Sequence, residues 1–341
     1  MAVGMRTATG VIGNKGMMPM SDREGPAVWL HVASPLFTGK TPDKDVMSKR
    51  KETWFDFINS PAREDLDRAC GRGSGKGGAA NIACYSPGKE VQIRHRPDQD
   101  PVRVIFPAQR EVAVPKGFVA RLHLLVLQES IDRGLDPAEV IFGFIDGSGA
   151  FKYESLQLLV EPFKEDASVD VVFGKRPDNN SGMLPGRKEM EEFEQYLLFR
   201  HRSAQIRQSL SDYNLHLGVL PDGQAGCWAF RLSAAQRLPL TASSYEIEFD
   251  LLASAIDAGL KCAYTKPLLM SDEPRHSSAS ADPFGTSLRK LPFIQRKLGI
   301  SRDDVAEAWN EFAAQFAESP LIVSLRPGYE KALLEYCRSE E

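Results

Sequence analysis

The segment AEVIFGFIDG (138–147) constrains the fold of this chain more than any other stretch. Its apolar residues run almost without interruption and stop at an acid. A strand with one wet face alternates apolar and polar residues, whereas a strand covered on both faces of a parallel sheet reads as a continuous apolar run. VDVVFGKR (169–176) has the same character, and between the two lie Leu156, Leu159 and Val160 at helical spacing. Strand, helix, strand in this order predicts an α/β sheet with helices on both faces. Ligands in such sheets gather beyond the carboxyl ends of the strands. Ser34, at the end of the run VWLHVAS, is therefore expected to face one crevice with Asp146 and with Gly174 to Arg176.

The rest of the chain fills in around this centre. KRKETWFDFINS (49–60) reads as a helix, CGRGSGKGGAANIA (70–83) is Gly-rich, and VQIRH (91–95) and VRVIF (102–106) are strand-like runs bounded by proline. Residues 116–133 carry Leu122, Leu125, Val126 and Ile131 close to helical spacing and end at Gly134. A polar stretch (177–190) precedes a predicted helix over 191–209. DGQAGCWAFR (222–231), a helical segment over 246–260 and the strand-like KCAYTKPLL then follow. Ser301 and Asp304 form a capping box for a terminal helix containing Val305, Trp309 and Phe312.

With 341 residues, 42 Lys+Arg against 46 Asp+Glu and a net charge of −4, the chain has no global field to gather nucleic acid or an anionic membrane. Any phosphate recognition must be local. No apolar run approaches the ~18 residues of a membrane span. Cys70, Cys84, Cys227, Cys262 and Cys337 are scattered and form no C-x-x-C pair, which argues against a disulfide framework or a zinc site and fits a reducing cytoplasm. Residues 1–26 are expected to be a flexible leader, 27–280 the α/β domain and 281–341 a helical C-terminal extension.

Two phosphate-binding readings arise. Ser34-PLFT-Gly39-Lys40-Thr41 follows a strand and nearly spells a P-loop, in which backbone amides, a lysine and a magnesium-holding threonine cradle phosphates. Its first glycine is missing and Pro42 follows Thr41, so a phosphotransferase using Lys40 is the weaker alternative.

FIDGSGAFKYESLQLLVEPFKEDASVDVVFGKR (144–176) resembles the metal-binding stretch of family 2 glycosyltransferases, where a strand ends in Asp-x-Asp and the next runs into a Gly-x-Arg loop. DGQAGCWAFR with YEIEFDLLASAIDAGLKCAYTKPL (245–268) resembles that family's D-x-x-x-G-F-x-x-F-R and acidic-helix segments, particularly in dolichol-phosphate-mannose-synthase-like members. VASPLF, GRGSGKGG (71–78) and PKGFVARL (115–122) can be laid more loosely on the family's first strand and turn, its Asp-Asp-Gly-Ser segment and its Gly-Lys-Gly-x-x-x-Ala segment. The family's nucleotide-holding Asp pair is replaced here by Gly71 and Arg72, and the second aspartate of Asp-x-Asp by Ser148.

The resemblance implies a GT-A-like, mostly parallel sheet and transfer of a sugar from a nucleotide diphosphate sugar to a small, soluble hydroxyl acceptor. It implies a donor site drawn from Ser34, Pro35, Arg72, Ser74, Lys76, Lys116, Asp146, Gly147, Ser148 and Arg176. Asp146, with His276 as the family's further ligand, would hold Mg²⁺ or Mn²⁺ only weakly, as a metal that need not be required, because hard cations prefer carboxylate oxygen and one carboxylate leaves most positions to water. Arg72, Lys76, Lys116, Lys175 and Arg176 are the cations available to neutralise a leaving diphosphate. Glu248 or Asp250 is the expected base for the acceptor hydroxyl. Loss of the family aspartates leaves a second reading open, a noncatalytic relative that binds a sugar nucleotide or serves as a scaffold.

Overall fold

The computed structural model describes residues 29–35, 52–54, 56–70, 79–85, 90–93, 102–105, 116–132, 136–147, 150–177, 187–211, 224–271, 283–315 and 320–338. Its centre is a six-stranded sheet of β1 (Trp29–Pro35), β2 (Ala79–Tyr85), β5 (Val140–Ile145), β6 (Val171–Lys175), β7 (Cys227–Arg231) and β8 (Cys262–Pro267), in the order β2-β1-β5-β7-β6-β8. The pairs β1–β2, β1–β5 and β6–β8 are parallel, while β7 runs antiparallel to both β5 and β6. The expected mostly parallel sheet with helices on both faces is present. β3 (Glu90–Ile93) and β4 (Val102–Ile105) form a separate antiparallel pair.

Alternation of side chains along each strand divides the interior in two. Val140, Phe142 and Phe144 of β5, Val171 and Phe173 of β6 and Trp228 and Phe230 of β7 enter one core. Ile141, Ile145, Val172, Cys227 and Ala229 enter the other. The first core is closed by α2 (Lys116–Asp132), α4 (Arg187–Ser209) and α5 (Ile247–Asp257). The second is closed by α1 (Pro61–Ala69) and α3 (Ser155–Glu165). Phe144 and Trp228 stack at 4.9 Å across β5 and β7. Both faces are covered, which is why these strands read as unbroken apolar runs.

α1 corrects the sequence expectation of a single helix over 49–60. Helical residues occur at 52–54 and 56–58, the chain bends at Ser60, and a new helix starts with Pro61 in its first turn. Proline is tolerated there because its missing N–H has no intrahelical partner to lose. Asp67 of α1 accepts from the amide of Ala80 at 3.0 Å, and the Arg63 guanidinium donates to the Ala80 carbonyl, so the helix caps backbone groups of the edge strand β2.

The C-terminal helical region consists of α6 (Pro283–Leu298), α7 (Arg302–Gln315) and α8 (Pro320–Arg338). The predicted capping box is formed: the Asp304 amide donates to Ser301 Oγ at 3.1 Å and the Ser301 amide to Asp304 Oδ2 at 2.7 Å. Trp309, Phe312 and Tyr329 surround Phe193 of α4, with the Trp309 ring 5.1 Å from it. These residues belong to the same core as Phe142 and Trp228. Cys70, Cys227 and Cys262 are buried, and burial raises their thiol pKa values, Cys70 to about 12. No helix among the described residues is long and apolar enough to cross a membrane.

Candidate functional site

Antiparallel insertion of β7 is what builds the site. Because β7 starts where β5 ends, with Ile145 opposite Cys227, the segment before β7 lies beside the residue after β5. The Asp146 amide donates to the Gly226 carbonyl at 2.8 Å. Gly226 has φ +69°, a left-handed conformation suited to glycine, and the position of a Cβ added there lies 3.4 Å from Asp146 Cβ, 3.6 Å from Glu248 Oε1 and 3.6 Å from Lys116 Nζ. These three side chains are the centre of the candidate site.

Lys116 is the first residue of α2 and Glu248 lies in the first turn of α5. The Lys116 ammonium sits 2.6 Å from Asp146 Oδ2 and 3.4 Å from Glu248 Oε1. All three are largely withdrawn from water, with side chains 6%, 14% and 7% exposed for Lys116, Asp146 and Glu248. Burial works to lower the Lys116 pKa, but Asp146 and Glu248 outweigh it and hold the ammonium above the usual lysine range. A cation at a helix N-terminus opposes the helix dipole, and the two carboxylates offset that cost here. Lys116 also lies 5.5 Å from the centre of the Tyr245 ring. Gly117 lets α2 approach so closely: a Cβ there would come within 2.5 Å of the Ala242 carbonyl oxygen.

Behind this cluster is a layer of buried ion pairs. Glu191 of α4 takes the guanidinium of Arg176, at the end of β6, and Arg187 Nε at 2.9 Å. Burial pushes the Glu191 carboxyl up, but Arg176, Arg187 and Lys290 overcome it and bring it down to about 2. Glu194, one turn further along α4, accepts from Lys290 Nζ of α6 at 3.0 Å, and burial raises its pKa.

Asp250 differs from the sequence expectation of a base facing the acceptor. Its carboxylate accepts from the amides of Thr241 at 2.6 Å and Ala242 at 2.8 Å, and Oδ1 pairs with Lys297 at 2.7 Å. It is fully buried and holds the 241–243 segment that presses on Gly117. Those partners engage both carboxylate oxygens, which gives Asp250 a structural role; Glu248, two residues earlier, is the one that meets Lys116.

Ser34 and Pro35 end β1 opposite Cys84 and Tyr85 of β2, one and two residues beyond Ala33, which pairs with Phe144. Their backbone thus lies at the same sheet edge as Asp146. Gly147 is buried next to Asp146. The Lys175 amide donates to Thr265 Oγ1 at 3.0 Å. Arg176 is 8% exposed and engaged with Glu191, an ion pair the sequence did not announce. Lys40, Thr41, Arg72, Ser74, Lys76, Ser148 and His276 lie outside the described residues. The contributions of Tyr245, Gly226, Gln224, Arg187, Glu191, Glu194 and Lys290 were not read from the sequence. The glycine in GQAGC and the Glu191/Glu194 pair at i,i+3 were the available signals.

Among the described residues, the donor set around Asp146 does not fit a divalent ion. Asp146 Oδ2 and Glu248 Oε1 both face the Lys116 ammonium, and no three His, Cys, Asp or Glu side chains among those residues converge as metal ligands.

No family model and no curated protein sequence matches the chain. Among solved structures it is similar to glucosyl-3-phosphoglycerate synthase from Mycobacterium tuberculosis. In its complex with Mn²⁺, uridine diphosphate and phosphoglyceric acid, the identity is 17%, over 80% of this chain and 79% of that one, with a TM-score of 0.44. For the complex of the same enzyme with Mn²⁺, UDP-glucose and phosphoglyceric acid, the identity is 15%, over 80% of each chain, with a TM-score of 0.43.

Proposed function

We propose that this chain is a GT-A-like glycosyltransferase that moves a sugar from a nucleotide diphosphate sugar to a hydroxyl of a small acceptor. The observation that carries this reading is the meeting of Lys116, Asp146 and Glu248. Asp146 and Glu248 come from FIDGSG and YEIEFD, which belong to the two segments whose order along the chain resembles the family, and Lys116 from PKGFVARL, which can be laid on it more loosely. A surface charge cluster does not require such convergence at the carboxyl end of a central strand.

In this reading the donor lies along the sheet edge formed by Ser34, Pro35, Asp146 and Gly147. The Lys116 ammonium supplies fixed positive charge beside the donor, and Asp146 orients it. Glu248 takes the proton of the acceptor hydroxyl as the acceptor oxygen bonds to the anomeric carbon. The bond from that carbon to the diphosphate breaks with its electron pair, and the nucleoside diphosphate leaves. Arg72, Ser74, Lys76 and Ser148 are proposed donor contacts from the Gly-rich and post-strand segments. Residues 27–280 are taken as the transferase unit, with the helices beyond 283 packed into its core.

The engagement of Asp146 by Lys116 favours a second reading, a noncatalytic sugar-nucleotide-binding relative. Incubating the protein with a panel of nucleotide sugars and small hydroxyl acceptors, phosphoglycerate included, separates the two. The transferase releases nucleoside diphosphate only with acceptor present and loses this release in Glu248→Gln. Binding of nucleotide sugar without release supports the second reading.

A further inference from the structure

Lys290 links the C-terminal helices to the segment that backs the candidate site. Lys290 of α6 is 7% exposed, and its ammonium donates to Glu194 Oε2 at 3.0 Å and to Gln224 Oε1 at 3.0 Å. The first contact ties α6 to α4. The second leaves the helices altogether, because Gln224 lies two residues before Gly226 in the segment leading into β7. Gln224 is itself 3% exposed, and its Nε2 reaches the Glu191 carbonyl only at 3.5 Å, a weak bond. Gly226 then accepts from the Asp146 amide and backs Asp146, Glu248 and Lys116.

We infer that Lys290 is a positioning residue of the site: by holding Gln224 it fixes the 224–226 segment, and through Gly226 it sets the placement of Asp146 against Lys116 and Glu248. The need for such an anchor follows from the backbone. A left-handed residue at Gly226 is free to leave that conformation unless its neighbours are held, and glycine has more conformations to leave for than any other residue. A charge-assisted bond to a buried amide oxygen is a stronger tether than a neutral one. Glu194 keeps the ammonium in place, since its carboxylate is 1% exposed and depends on Lys290 for its counter-charge. On this account α6 is a working part of the site as well as a packing element.

The kinetic part of the test rests on the glycosyltransferase reading; the exchange part does not. Two variants separate anchoring from simple support of the fold. Gln224→Ala keeps the Lys290–Glu194 ion pair and removes the side-chain contacts of Gln224 to Lys290, Glu194 and the Glu191 carbonyl, whereas Lys290→Met removes the ion pair as well as the link to Gln224. Hydrogen exchange resolved to the Asp146 amide and to peptides over 224–231 is compared with exchange in β6 and α6. Anchoring predicts that Gln224→Ala speeds exchange at Asp146 about tenfold or more with β6 and α6 unchanged, reflecting local opening. It also predicts a loss of kcat/KM of roughly ten- to a hundredfold, as expected of a misplaced reacting group. Faster exchange at Asp146 in a protein that shows no sugar transfer removes the functional reading and leaves the positioning role standing. Unchanged exchange at Asp146 in Gln224→Ala overturns the inference, as does a rise spread evenly over the whole chain. If Lys290→Met does not fold, Gln224→Ala decides alone.

Discussion

Lys116 Nζ lies 2.6 Å from Asp146 Oδ2, joining the first residue of one helix to the residue that follows the central strand. Glu248 completes a group of two carboxylates around one ammonium, so removing the ammonium leaves two like charges facing each other in a site nearly closed to water. Lys116→Met is expected to destabilise the fold by about 3–5 kcal/mol, the usual cost of breaking a buried pair from one side. Asp146→Asn costs less because Glu248 still faces the ammonium. Urea unfolding of the parent, the two variants and their combination checks this, and a combination less stable than Lys116→Met alone would contradict it.

Glu248 and Asp250 sit two residues apart and are expected to respond in opposite ways. Glu248→Gln should lower sugar transfer by about 10²–10⁴-fold, the usual contribution of a general base, with little change in melting temperature. Asp250→Asn weakens the bonds to the Thr241 and Ala242 amides and the pair with Lys297, and should chiefly lower stability. Activity and melting temperature measured on both variants decide. The reverse pattern would move the base to Asp250.

A dication at Asp146 would have to displace the Lys116 ammonium, which already sits 2.6 Å from Asp146 Oδ2 and 3.4 Å from Glu248 Oε1. Chelation with EDTA is therefore expected to change the affinity for a nucleotide sugar by less than about threefold, or under ~1 kcal/mol. Calorimetric titration with EDTA and with Mn²⁺ makes the comparison. A large gain with Mn²⁺ would show that residues outside the described set assemble a metal site.

Stability in acid should carry the mark of Glu191. Its folded pKa, about 2, lies below the ordinary value of 4.5, so its contribution is complete above 4.5 and is lost as the pH falls toward 2. Glu194 opposes it: its pKa is raised, so protonation in acid favours the folded state. Unfolding free energy followed between these pH values should fall less steeply in Glu191→Gln than in the parent. Equal slopes would show that Glu191 is not held ionised by Arg176, Arg187 and Lys290.

The sheet was legible in the sequence because burial on both faces writes itself as unbroken apolar runs, as in VIFGFI and VDVVFGKR. The reversal of β7 was not, since CWAFR would be equally apolar running either way. α6 falls within the expected helical extension over 281–341, and packing of Leu291 and Ile294 into the core sustains it despite Pro292. Asp146 was marked by its place at the end of a strand. Its pairing with Lys116 joins parts of the chain that no local pattern connects. Nor does helical spacing say which of Glu248 and Asp250 faces the site. That depends on where the 241–243 segment returns across α5, a long-range fact.

The ring of Trp309 and Tyr329 around Phe193 has a consequence for how the protein is made. Translation delivers a chain from its N-terminus, and domains generally fold as units as they emerge. Here the core that includes Phe142 and Trp228 also includes Leu333, so its last pieces leave the ribosome after nearly everything they must cover. Until then Phe193 and its neighbours on α4 present bare apolar surface. A nascent chain without α7 and α8 is therefore expected to leave the face of α4 around Phe193 bare, although α2, α4 and α5 already cover that side of the sheet.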